Sequence, residues 1–257
     1  MKVVAISDLH GFLEKPEKMP NGDILCICGD IVPLEYQNDT IESIAWFCLE
    51  FVPWTDSLAY KKVIFIGGNH DFFLENIHMK SYRDYVEDDK GGRFETFYKF
   101  ENSPSRVLKK LLPGNNKGKH KLIYLCDNSV EIEGKHFYGT PWIADLKNWA
   151  FYLPEDELVK KWALIPSKLD VLMTHMPPKY HKVGEVTQKG KFNTGSDYGS
   201  ESLATNIIAR NIKFAISGHV HSGNHNLQES TNGHYMVNVS VKNEDYEHRY
   251  NPLVFEI

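Results

Sequence analysis

The chain has no long hydrophobic run. Among its 257 residues no window reaches the ~18 or more consecutive apolar residues of a spanning helix, so no membrane partner is expected. Cysteine is scarce. Cys26, Cys28, Cys48 and Cys126 lack zinc-knuckle spacing and are expected to be buried, reduced thiols. Basic excess is also missing. Against 34 Asp and Glu stand 29 Lys and Arg, a net charge of −5, which presents no broad cationic face to duplex nucleic acid. Nucleic-acid partners beyond nucleotides or short ends are therefore not expected. Nor is a leader expected before the first strand-like run. Met1-Lys2 passes directly into Val3-Val4-Ala5-Ile6 and then Asp8, so this stretch is read as the first core strand and cytoplasmic residence is expected. Repeats and linker-like composition are absent, which leaves one domain over residues 1–257.

What is present is a series of short apolar runs: 3–6, 24–27, 63–66, 122–125, 136–138, 171–173, 214–216, 235–239 and 253–257. Most are continuous rather than alternating, which predicts strands buried on both faces. Helices are predicted between them. Asp39-x-x-Glu42 reads as a capping box ahead of Ile41, Ile44, Ala45 and Cys48. A second helix near residues 155–164 turns Leu158, Val159 and Trp162 inward, and a third begins near Ser200 with Leu203, Ile207 and Ile208 on one face. Strands alternating with helices early and paired by turns late predict two packed mixed sheets flanked by helices. Residues 84–121 are polar and too long for a simple connection; they are expected to form a lobe near the active-site mouth, an unstructured excursion being the alternative.

Five polar motifs close the apolar runs: Asp8-Leu9-His10, Gly29-Asp30, Gly68-Asn69-His70-Asp71, His175, and Gly218-His219-Val220-His221. Each is weak alone, since Asp-x-His and Gly-Asp are ordinary turn residues. Joined in order, each after a strand, they supply what two neighbouring metal ions need. Asp8, His10 and His221 can close on one cation, Asn69, His175 and His219 on a second, and Asp30 can bridge them. Imidazole, carboxylate and carboxamide donors without a thiolate suit Mn, Fe, Zn, Co or Ni, with two divalent ions, Mn2+ first, as the expected cofactors. Two ions roughly 3.5–4 Å apart can clamp the attacking and leaving oxygens of an in-line phosphoryl displacement.

The pattern D-x-H, G-D, G-N-H-D, a lone H, then G-H-x-H resembles the calcineurin-like metallophosphoesterases from Val3 to near the C-terminus. Within them the chain is most similar to metallophosphoesterase-domain-containing proteins related to class III cyclic nucleotide phosphodiesterases. That finer likeness rests on Tyr138-Gly139-Thr140-Pro141-Trp142, on residues 170–178 (DVLMTHMPP), and on Val237-Asn238-Val239-Ser240 with Asn251-Pro252. The resemblance implies an α/β fold, a four-layer α/β/β/α sandwich. It also implies a metal-bridging hydroxide attacking phosphorus in line, with His70 stabilising charge or protonating the leaving oxygen as catalytic residue.

One departure is informative. Protein phosphatases of this superfamily read G-D-x-x-D-R-G, whereas residues 29–35 here are GDIVPLE. Pro33 stands where those relatives carry the aspartate that pairs with the catalytic histidine, and the phosphate-binding arginine is absent. A protein phosphatase is disfavoured, and Glu35 and Asp197 are the candidate partners of His70. Asp71 is expected to cap the helix that begins at Phe72, orienting a histidine being the alternative. Of the remaining histidines His225 is the first candidate for a site role, and Trp142 and Trp149 are read as packing residues, lining a substrate surface being the alternative. The expected activity is hydrolysis of a small phosphodiester, a cyclic nucleotide being one candidate. The rivals are a phosphomonoesterase or nuclease of the same fold, and a non-catalytic scaffold.

Overall fold

A computed structural model describes residues 1–79, 121–144, 146–191, 193–229 and 233–257. Residues 84–120 of the expected lobe lie outside the described residues. Four strands, β1 (Lys2–Ile6), β2 (Ile24–Cys28), β3 (Lys62–Ile66) and β4 (Leu122–Tyr124), run parallel in one sheet, closed by β11 (Leu253–Glu256) antiparallel to β1. The second sheet has the order β5-β6-β7-β8-β10-β9. In it β6 (Lys135–Thr140), β7 (Val171–Thr174), β8 (Phe214–Ser217) and β10 (Tyr235–Asn238) are parallel. The edge strands β5 (Asn128–Ile132) and β9 (Gln228–Glu229) are antiparallel to their neighbours.

The continuous apolar runs have a direct cause, because both faces of each sheet are covered. Ala5, Cys26 and Ile64 from the first sheet and Phe137, Met173 and Ile216 from the second share one buried cluster between the sheets. Their neighbours along each strand point outward. Val4, Leu25 and Phe65 meet Phe47, Phe51 and Phe73, and Leu172 and Ala215 meet Leu158, Trp162 and Leu203. Each such side chain contributes about 1.5–3 kcal/mol by leaving water. The expected α/β/β/α layering follows. The four cysteines are buried and unpaired, and burial pushes the Cys48 and Cys126 thiols up to about 12.

The helices are α1 (Thr40–Trp46), α2 (Val52–Ser57), α3 (Phe72–Met79), α4 (Glu155–Ala163) and α5 (Glu201–Ala209). Asp39 accepts the Ile41 and Glu42 N–H groups ahead of α1, and Ser200 accepts that of Leu203 in α5. Two inward assignments fail. Val159 is 49% exposed and Ile208 37%, because the sheet takes only a narrow stripe of each helix, Leu158 with Trp162 and Leu203 with Ile207. Strand β5 escaped the apolar-run reading because only its alternate residues Val130 and Ile132 are buried. Its signal was that alternation followed by Glu133-Gly134, both at positive φ, a two-residue hairpin turn. No helix among the described residues is long and apolar enough to cross a membrane.

Candidate metal centre

The site is assembled where β1, β2, β3, β7 and β8 end, as parallel sheets place ligands beyond their carboxyl ends. The chain must turn sharply there. Asp8 (φ 57°), His10 (42°), Asp30 (53°) and His219 (70°) all take the left-handed conformation. That costs non-glycine residues on the order of 1–2 kcal/mol each. Hydrogen bonds between the loops hold them: Asp8 N to Gly29 O at 3.0 Å, His10 N to Asp30 O at 2.9 Å, and His219 N to Asp8 Oδ1 at 3.1 Å. The glycines of the motifs provide room. A Cβ on Gly68 would collide with Asp30 Oδ1, and one on Gly218 with Ser7 Oγ.

All seven expected ligands converge, in two groups that meet at Asp30. On one side His10 Nε2 lies 3.2 Å from His221 Nε2 and 3.7 Å from Asp30 Oδ2, and His221 Nε2 lies 3.7 Å from Asp8 Oδ1. On the other, Asn69 Oδ1 is 2.8 Å from both His175 Nε2 and His219 Nδ1, and His175 Nε2 is 3.4 Å from Asp30 Oδ2. Metal–ligand bonds of about 2.0–2.2 Å put neighbouring ligand atoms roughly 3.0–3.6 Å apart, and the observed separations, from 2.8 to 3.7 Å, straddle that range, so small side-chain adjustments would seat the ions. Asp30 Oδ1 accepts the His70 N–H at 2.8 Å, leaving Oδ2 as the atom that faces both groups. Behind the ligands, His175 Nδ1 donates to Cys28 O at 2.8 Å and His221 Nδ1 to Asn243 O at 2.9 Å, which leaves each Nε2 lone pair for a cation. Buried His10 Nδ1 has no hydrogen-bond partner among the described residues.

Two carboxylates and four imidazoles this deeply buried perturb one another. Burial lowers His219 to about 3 and also holds His10 well down, so both are neutral and ready to ligate. Burial opposes charge on His175 too, but Asp30 and Asp8 outweigh it and raise the ring to about 9. Burial of Asp30 is in turn overcome by His175 and His70, which hold its carboxyl well below the usual range. Asp8 is raised, mainly by burial.

His70 lies beside the ligands, its Nε2 3.8 Å from Asp30 Oδ2. Its Nδ1 meets the Gln37 side-chain amide. Glu35 and Asp197, the expected partners, are both exposed, and Asp197 accepts the Gly199 N–H instead. An amide can present either its oxygen or its NH2 to Nδ1, so Gln37 can hold either tautomer of the ring. Burial lowers the His70 pKa. Asp71 is also reassigned. Its carboxylate does not cap α3 but accepts N–H bonds from Ile31 (3.0 Å), Val32 (3.1 Å) and Gly68 (2.9 Å), joining the Asp30 loop to the Asn69 loop. Burial and then the Asp30 charge push this carboxyl up to about 7, against the pull of those three donors.

A cavity of about 300 Å3 opens above Asp30, Asn69, His70, His219 and His221, walled by Leu146, Trp149, Glu244 and Tyr246. Trp149 packs 4.5 Å from the His70 ring, and Tyr246 lies 4.9 Å from both His10 and His221. Trp149 is thus a wall of the site as well as a packing residue. Trp142 is buried, donating its indole N–H to Asp127 at 2.8 Å. His225 stacks on Tyr250 at 3.7 Å and contacts His221 O, outside the ligand groups. Sequence reasoning missed Gln37, Glu244 and Tyr246, which sit in loops without any pattern of their own. The one trace was the turn-forming run 243–245 (NED), which contains Glu244 and precedes Tyr246.

This frame and this order of ligands define a class. The family model for calcineurin-like phosphoesterases matches residues 1–223, and the chain belongs to that family. It is 30% identical over 272 residues to the human metallophosphoesterase domain-containing protein 1, all of this chain aligning with 71% of that protein. A UPF0046 protein of Caenorhabditis elegans is 29% identical over 262 residues; the chain spans 60% of its length. Among solved structures, the phosphopantetheinyl hydrolase of Mycobacterium tuberculosis shares the fold with a TM-score of 0.51 at 15% identity, over 95% of this chain and 90% of that one.

Proposed function

We propose that the protein hydrolyses small phosphodiesters, cyclic nucleotides among the candidates, at a centre of two divalent ions, Mn2+ first. One observation carries the reading. Both ligand groups share Asp30 Oδ2, while no Lys or Arg among the described residues lines the cavity above them. When bound, the ions would polarise the phosphoryl oxygens and make water acidic enough to attack at neutral pH. Asp8, His10 and His221 would hold one ion, Asn69, His175 and His219 the other, and Asp30 both. In the reaction the attacking water gives up a proton to solvent as its oxygen bonds to phosphorus, and the bond to the departing oxygen breaks with its electron pair. That oxygen then needs a proton, which His70 would donate from Nε2 in its imidazolium form, regained from solvent, with Gln37 fixing the ring.

The lack of lining cations favours diesters. A monoester dianion brings one more negative charge than a diester, with no lysine or arginine to meet it. The test is a panel on manganese-loaded protein: bis(4-nitrophenyl) phosphate, 4-nitrophenyl phosphate, and 2′,3′- and 3′,5′-cyclic nucleotides. Higher kcat/KM for diesters is expected. Preference for the monoester would overturn the diester assignment, and pure protein that binds no transition metal and cleaves no ester would overturn the enzyme reading.

A further inference from the structure

A second cavity, of about 280 Å3, adjoins the first and shares Leu146, His219 and Glu244 with it; Val186, Asn193, Tyr198 and Val220 line the second alone. Glu244 therefore stands where the two cavities join. Its side chain is half-buried and held from behind, Oε1 accepting both the Ser222 N–H and Oγ–H at 2.8 Å. Its own N–H donates to Gln188 Oε1 at 2.9 Å. Oε2 has neither a hydrogen bond nor a cationic partner among the described residues. The ammonium of Lys191, in the loop that also carries Asn193, is already paired with Asp245. No described Lys or Arg lines either cavity.

A carboxylate held in place with one open oxygen, in a groove walled partly by Leu146 and Val186, offers a cation a preformed partner. The metal centre does not need it for neutrality. The four positive charges of two divalent ions are met by Asp8, Asp30, a hydroxide and the single charge of a bound diester. Glu244 is left over. We propose that this groove selects phosphodiesters whose second ester group carries a cation, an amino-alcohol ester in the simplest case, and that Glu244 is the residue that reads it. The phosphoryl group sits over the ligand residues and the ammonium reaches Glu244 Oε2, with the Tyr198 side chain beyond it. This deepens the phosphodiesterase reading and rests on it. It assigns the residue that discriminates among diesters, as distinct from those that bind metal.

The experiment compares 4-nitrophenyl 2-aminoethyl phosphate with its near-isostere 4-nitrophenyl propyl phosphate, on metal-loaded wild type and Glu244→Gln with metal content measured in each. Gln keeps an oxygen for Ser222 and removes the charge. Wild type is expected to favour the aminoethyl ester in kcat/KM by about fivefold or more, as a part-buried ion contact warrants. In Glu244→Gln that ratio should fall toward one. A second arm needs no turnover: calorimetric Kd values of aminoethyl phosphate and propyl phosphate on the same proteins, where the same preference and the same loss are expected. A wild-type ratio near one, or a ratio that survives in Glu244→Gln, overturns the proposal while cleavage of the propyl ester leaves the phosphodiesterase reading intact. If neither diester is cleaved, that reading fails and the binding arm still decides the role of Glu244.

Discussion

Asp71 offers the sharpest test of how the loops are joined. Its carboxylate takes three buried N–H groups, from Ile31, Val32 and Gly68. Asp71→Ala leaves all three unpaired at about 1–2 kcal/mol each, so roughly 3–6 kcal/mol of stability should go. Asp71→Asn keeps one accepting oxygen for Ile31 and Val32 but turns an NH2 toward the Gly68 N–H, at a cost of about 1.5–3 kcal/mol. For a chain this long each kcal/mol lowers the melting temperature by about 2–4 °C, so the Asn variant should melt roughly 3–12 °C below wild type. Because the donors adjoin Asp30 and Asn69, bound metal should fall as well. The assay is thermal unfolding in chelator, with elemental analysis of protein reconstituted separately. Asp71→Ser distinguishes this from the capping role that sequence alone suggests. Serine is as good an N-cap as aspartate and would preserve stability if capping were the function. It cannot span two loops, and the expected result is loss close to that of Asp71→Ala. Wild-type melting and metal content in either Asp71→Ser or Asp71→Asn would refute the reasoning.

Further outcomes follow from the same geometry. Asp30→Ala removes the carboxylate that faces both ligand groups, and should abolish turnover and lower bound metal to one ion or none while circular dichroism stays folded; wild-type metal content there would show the bridge is elsewhere. His70→Ala should keep both metals and lose about 10²–10⁴-fold in kcat, less for good leaving groups, which need little protonation. If metal is lost with it, His70 is a ligand. His175, held protonated up to about 9, must give up that proton to bind a metal. Metal addition at pH 7–8 in weak buffer should therefore release a proton. For that one group the apparent affinity should rise about tenfold per pH unit, levelling off above about 9. Titrations showing no proton release below pH 8 would contradict this.

The convergence of the candidate ligands was legible because each closes an apolar strand, and strands of a parallel sheet end on one side. Chain order alone then brings Asp8, Asp30, Asn69, His175 and His219 together. The residues around them were not legible for the opposite reason. Gln37 reaches His70 across 33 positions, and Asp71 spans about 40 to Ile31 and Val32. Neither pairing has a period or a spacing. The sequence showed that the superfamily's aspartate partner was gone at Pro33, and so that a substitute was needed, but charge intuition pointed to Glu35 rather than to a neutral amide. On the helices, Val159 and Ile208 were placed inward because periodicity reports a face and not its width.

Four of the candidate ligands hold left-handed backbone, and this restricts how the protein could change over time. Asp and His are among the few side chains that tolerate that conformation, and Asn shares the property. At Asp8 and Asp30, then, the codon most easily accepted in a lineage losing its chemistry is one for Asn. It preserves the turn while removing the anionic ligand. A β-branched residue would lose the loop and the ligand together. Descendants that keep this fold without its metals should thus be recognisable by amides at these two positions, their loops otherwise intact.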